Sequence, residues 1–181
     1  MTKSPLLCAL SRHASFALKS LLAGAAILAL AAPAGAEVVR LKSNPGALIL
    51  DGARVSDDME TFYLSGQLAS PVDPKKAMTD VKSVEEMGDS KAQTISALTK
   101  IRAMLESQGY KMSDLVKLTL FVAADPRTGK MDFAGMNSAW FKEFGTAAQP
   151  NKPARAAFQV AALAGSKDLV EIEFIAVKKP R

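Results

Sequence analysis

Arg155 stands in Asn151-Lys152-Pro153-Ala154-Arg155-Ala156-Ala157-Phe158-Gln159-Val160-Ala161, a guanidinium at the head of an otherwise apolar strand. Such a group needs an anion, because an unpaired buried charge costs roughly several kcal/mol even after relaxation. Guanidinium is also the side chain best shaped to hold a carboxylate through two parallel hydrogen bonds. A short way downstream, Val170-Glu171-Ile172-Glu173-Phe174 supplies two carboxylates. They read either as ion-pair partners of Arg155 or as a second chemical group working beside it.

The rest of the inventory narrows the chemistry. The chain's one cysteine and one histidine, Cys8 and His13, both fall in its first 36 residues. That segment carries Lys3, Arg12 and Lys19 with no acid, then the apolar run 21–32, then Ala34-Gly35-Ala36. Basic, apolar and small-residue regions in that order form an export signal, with cleavage expected before Glu37. The apolar run falls short of the roughly 20 residues that span a bilayer, so no stable membrane span is expected after cleavage. The expected organisation is a leader over 1–36 and a single domain over 37–181, exported, and periplasmic if the source is a Gram-negative bacterium.

Removing the leader leaves 145 of 181 residues and lowers the net charge from +5 to +2, since three of the 23 basic residues and none of the 18 acids go with it. The remaining domain has neither Cys nor His. That excludes a thiol or Ser-His nucleophile pair, a zinc site built on His or Cys, a disulfide framework and a histidine base. Nucleic acid is not an expected partner, because a charge of +2 is weak evidence for a mode of binding that calls for a clustered basic face, and Lys178-Lys179-Pro180-Arg181 reads as a solvated terminus.

The elements that must position Arg155 follow from periodicity. Residues 38–41 and 47–50 are short apolar runs around the turn signal 44–46, either two strands or one interrupted strand. Thr61-Phe62-Tyr63-Leu64 is a strand that runs into Ser65-Gly66-Gln67, and the polar stretch 71–90 is a long loop with room for a helical turn. Ile95, Leu98, Ile101 and Leu105 mark one face of a helix that starts near Lys91 and ends at Gly109. Residues 115–122 alternate as a strand with Val116, Leu118, Leu120 and Val122 on one side. Phe133, Met136, Trp140, Phe141 and Phe144 recur at helical spacing as a core-facing set, with Gly145 as a stop.

In the last two strands, Ala156, Phe158 and Val160 oppose Arg155, Ala157 and Gln159, while Val170, Ile172, Phe174 and Ala176 oppose Glu171 and Glu173. If 164–168 turns them into a hairpin, both glutamates share the polar face with Arg155 and Gln159. The order β-β-β-α-β-α-β-β predicts an α+β domain, with two helices packed on one face of a mostly antiparallel sheet. The other face, with small residues and charges, suits a subunit interface.

Tyr63-Leu64-Ser65-Gly66-Gln67, the strand at 115–122, Met136-Asn137, Pro153-Ala154-Arg155 and Val170-Glu171-Ile172-Glu173-Phe174-Ile175-Ala176-Val177 resemble, in order, the signature segments of the Rid family (reactive intermediate deaminases, formerly the YjgF family). The resemblance runs from about residue 51 to 177. It implies a chorismate-mutase-like fold, a homotrimer with clefts between neighbouring chains, and neither metal nor cofactor. It further implies that Arg155 holds the carboxylate of a 2-imino acid or its enamine tautomer and that Glu171 places or activates the water. Asn137 and Ser65 then line the cleft. Where family members often carry a cleft-closing tyrosine this chain has Ile49, and the position two after the arginine, frequently cysteine, is Ala157. The 72–90 segment is also longer than usual.

Imine hydrolysis needs little: an anion clamp, a carboxylate within reach of a water, and donors for developing charge. Arg155 cannot be the base, since guanidinium keeps its protons in proteins. Glu171 can. The expected function is hydrolysis of 2-imino acids or enamines to 2-oxo acids and ammonia, on a small carboxylate-bearing substrate supplied by a periplasmic amino-acid oxidase or dehydrogenase. The alternative is an exported carboxylate-binding or chaperone-like trimer without turnover. Ribonuclease activity is a weaker third, given the small charge and the lack of histidine. Taken without the family, Arg155 with Glu171 or Glu173 reads as an ion pair between subunits, Ser65 as a turn former and Asn137 as a helix residue bonding locally.

Overall fold

A computed structural model describes residues 35–42, 44 and 46–181, so nearly all of the expected leader lies outside the described residues. Eight regular elements follow in the expected order: β1 (Val38–Leu41), β2 (Gly52–Val55), β3 (Glu60–Leu68), α1 (Ser90–Ser107), β4 (Leu115–Ala123), α2 (Phe133–Glu143), β5 (Ala154–Val160) and β6 (Val170–Lys178). Short 3-10 turns at Met78–Asp80 and Met112–Asp114 punctuate the connections. Among the described residues no helix is long and apolar enough to cross a membrane.

The main sheet has the order β3-β6-β4-β5. Its β3/β6 and β6/β4 pairs are antiparallel and its β4/β5 pair parallel. The two most apolar strands take the centre, where Leu118, Leu120 and Val122 of β4 and Ile172, Phe174 and Ala176 of β6 are fully buried. They form one core with Leu98, Ile101 and Leu105 of α1 and Met136 and Trp140 of α2, so both helices cover the same face. Each such Leu, Ile or Phe contributes about 1.5–3 kcal/mol by leaving water. The expected α+β class is what these contacts build.

Three local expectations change. Residues 47–50 are not a strand: Leu50 makes an isolated bridge to Ala154, and β2 begins only at Gly52, pairing with β1 as a separate two-stranded ribbon. Arg40 pins that ribbon to the domain by donating to the carbonyls of Ser113 (2.8 Å), Leu115 (3.0 Å) and Lys152 (3.1 Å). In α1, capped where the Asp89 carboxylate accepts from the Ala92 amide, Ile95 is 44% exposed while Gln93 and Thr94 are buried. Gln93 tolerates burial because every polar atom of its amide is engaged. Its nitrogen donates to Gly88 O and Lys167 O and its oxygen accepts from Leu169 N. In α2, capped by Asp132, Met136, Ala139, Trp140 and the following Phe144 are buried, but Phe133 and Phe141 are exposed.

The largest correction concerns β5 and β6, which do not form a hairpin, because β4 lies between them. Their connection, 161–169, crosses the end of β4, where Ala123 N donates to Leu169 O. Nine residues suffice to step over one intervening strand, a distance of roughly 10 Å. The register then reverses the expected faces. Arg155 pairs with Leu118 and Leu118 with Phe174, which puts Arg155, Ala157 and Gln159 on the helix-covered face. Glu171 pairs with Phe121 and Glu173 with Thr119, and these belong to the open face together with Ala156 and Phe158. The glutamates and Arg155 therefore point away from each other within one chain.

Candidate functional site

Arg155 sits on the edge strand β5, half-buried, with its guanidinium directed at α2. Its Nη1 donates to Asn137 Oδ1 at 2.7 Å and lies 3.9 Å from Met136 Sδ. The guanidinium carbon lies 4.6 Å from the centre of the Trp140 ring and 5.9 Å from that of Phe133. Positions 133, 137 and 140 fall on one face of α2 by helical geometry, so a single rigid element supplies everything that touches the cation. Among the described residues Arg155 makes no ion pair. Burial pushes its pKa down, and no acid opposes that shift. Among the described residues most of its five donors are uncommitted, an arrangement that can accept a carboxylate.

The residues around it follow the same face. Ala157 pairs with Leu120 and is packed against the core, as is Ile49. The segment carrying Ile49 is held along the start of β5 by Leu50 N donating to Pro153 O and by Lys152 Nζ donating to Ala47 O at 2.7 Å. Ile49, Asn137, Arg155 and Ala157 thus belong to the helix side of the sheet.

Ser65 and Glu171 belong to the other side. The β3/β6 register slips between Leu64 and Gln67, a bulge that contains Ser65 and Gly66. Over that bulge lies the Glu171 side chain: a Cβ added to Gly66 would fall 1.8 Å from Glu171 Oε1. Beside it the open face carries a shallow groove of about 390 Å³ among Tyr63, Ser65, Lys117, Thr119 and Glu173. Tyr63 there is 73% exposed.

The structure therefore brings Arg155 and Asn137 into contact, keeps Ala157 and Ile49 on their side, and places Glu171 with the Ser65-Gly66 bulge opposite. Two residues take a geometric part beyond the one their sequence context gives them. Trp140 stood only as core, although its spacing of three from Asn137 already put both on one turn. Gly66 stood only within a segment, and nothing local reveals which carboxylate crosses it.

An α+β sheet covered on one face by two helices, with a parallel pair at one edge, is a fold class seen in solved structures. A Rid-family protein of unknown function from Yersinia pestis shares the fold at a TM-score of 0.53 and 20% identity, over 77% of this chain and 96% of its own. The sequence assigns the chain within that class: residues 54–178 match the Endoribonuclease L-PSP family, and this protein belongs to it, the family also called Rid. A RutC family protein of Pyrococcus horikoshii is 39% identical over 119 residues, which cover 65% of this chain and 79% of that one. The 2-iminobutanoate/2-iminopropanoate deaminase of Salmonella typhimurium is 39% identical over 116 residues, 64% of this chain and 77% of that enzyme. The Escherichia coli protein of the same name is 37% identical over a similar span.

Proposed function

We propose that this protein hydrolyses 2-imino acids, or their enamine tautomers, to 2-oxo acids and ammonia at clefts between subunits of a homotrimer. The observation that carries the reading is the half-buried Arg155 guanidinium, hydrogen-bonded to Asn137 and, among the described residues, paired with no carboxylate. The names of the enterobacterial relatives support the choice of substrate. Because Arg155 and Glu171 leave the sheet on opposite faces, the site is complete only when a second copy lends its Glu171 and Ser65 to the first copy's Arg155 and Asn137.

In this reading Arg155 grips the substrate carboxylate and so fixes the adjacent C=N carbon. Glu171 accepts a proton from water as its oxygen bonds to that carbon. Glu171 passes that proton to the nitrogen, the hydroxyl proton of the tetrahedral intermediate follows as the C–N bond breaks, and NH3 leaves with the 2-oxo acid remaining. An enamine enters the same route after protonation at carbon. The endoribonuclease of the family's description is not carried over, since residues 37–181 contain no histidine to act as base.

The test generates 2-iminopropanoate or 2-iminobutanoate with an amino-acid oxidase and follows competition with semicarbazide trapping. Wild type is expected to accelerate 2-oxo acid release, and Arg155→Ala and Glu171→Gln to lose about 100-fold or more each. No acceleration over buffer, across several imino acids, rejects turnover. Arg155-dependent uptake of 2-oxo acids without turnover would establish the binding-protein alternative. We further propose export with removal of residues 1–36. A mature mass that retains them overturns it.

A further inference from the structure

We propose that Trp140 is a positioning residue for the carboxylate clamp: its indole face sets the plane of the Arg155 guanidinium, so that the edge not taken by Asn137 is presented to the substrate. The inference rests on the proposed function but concerns a residue to which the mechanism assigns no role.

Three observations converge on it. The guanidinium carbon lies 4.6 Å from the Trp140 ring centre, closer than it is to Phe133 at 5.9 Å. Trp140 is itself fully buried and packed on Phe144 with ring centres 4.4 Å apart. Its indole nitrogen is buried and has no hydrogen-bond partner among the described residues. A buried tryptophan normally finds one, and phenylalanine would fill apolar space without that penalty. What tryptophan offers here that phenylalanine does not is the stronger π face for a cation. The hydrogen bond to Asn137, one turn earlier on α2, fixes rotation within the plane, while the indole fixes the plane itself. Two constraints from one helix leave Arg155 little freedom to lose when a carboxylate arrives.

Trp140 is the only tryptophan of the chain, so all tryptophan emission reports on this contact. The experiment titrates the full-length mature protein with 2-oxobutanoate, reading tryptophan fluorescence and calorimetric heat in parallel. A saturable change in emission is expected, with the same Kd as the heat, and Arg155→Ala should abolish both. In the semicarbazide assay Trp140→Leu should raise KM about tenfold with kcat within about twofold, and Trp140→Phe should restore much of the loss. Circular dichroism and thermal melts show whether the variants are folded, and the wild-type titration decides even if Trp140→Leu is not. Arg155-dependent heat with unmoved emission, or a folded Trp140→Leu with wild-type KM, overturns the inference and leaves the deaminase reading intact. Absence of both binding and turnover overturns the two together.

Discussion

The Arg155 guanidinium, accompanied by one amide oxygen and an indole face, carries its charge without an ion-pair partner among the described residues. Elsewhere the same chain shows what an ion does when it is meant to be structural: Arg127 clamps the buried Asp125 with its Nε and Nη2, and that carboxyl is held below the usual range. Asp168 is the contrary case. It is 5% exposed, its Oδ1 has no hydrogen-bond partner among the described residues, and burial pushes its pKa up against the opposing Gly165 backbone hydrogen bond and the nearby Lys100 and Lys167. The native state therefore binds this proton more tightly than the unfolded chain does. Its contribution is favourable below the ordinary carboxylate pKa and is lost as pH rises through the raised folded value. Asp168→Asn, which keeps an acceptor for Gly165, should raise the thermal midpoint by about 2–4 °C at pH 7, with the gain fading toward acid. Melts between pH 4 and 8 check this, and an equal gain at every pH would show that ionisation is not the cause.

At the scale of elements, one bulge and one helix divide the work. α2 holds the Arg155 guanidinium, and the Ser65-Gly66 bulge leaves room for Glu171, which lies where a Cβ of residue 66 would be. Gly66→Ala must push that carboxylate aside. Since Glu171 ends in a partly exposed, flexible carboxylate, the fold should adapt at a cost of about 1 kcal/mol or less, while kcat falls at least about tenfold through a misplaced base. Denaturation curves beside steady-state rates separate the two effects. A variant as active as wild type would mean that the observed position of Glu171 is irrelevant to turnover.

For the whole molecule, the decisive fact is that clamp and acid leave one sheet on opposite faces. An interchain site makes a prediction that a site within one chain does not. Arg155→Ala and Glu171→Gln, each inactive alone, should regain activity when their subunits are mixed by refolding or co-expression. Random assembly leaves both groups intact in about one site in four, so about a quarter of wild-type activity is expected. Mixtures as inactive as their components would place both groups of a site in the same chain. The exposed Tyr63 and the groove beside Glu173 lie on the face that such assembly would cover.

Element order, the α+β class, the Arg155 strand head and the exclusion of His and Cys chemistry in 37–181 were all legible in the sequence. Hydrophobic period and residue inventory are local or compositional properties, and family signatures sit in short segments. What only the tertiary structure decided was the neighbour of each strand. Alternation assigns side chains to faces relative to their own strand, but whether the apolar side of β5 matches that of β6 depends on the register each makes with β4, where a shift of one residue reverses every side chain. Inserting β4 sent Glu171 to the far side of the sheet from Arg155. The same packing brought Trp140, one aromatic among several at core spacing, under the guanidinium, a contact between residues on separate elements that no local pattern encodes.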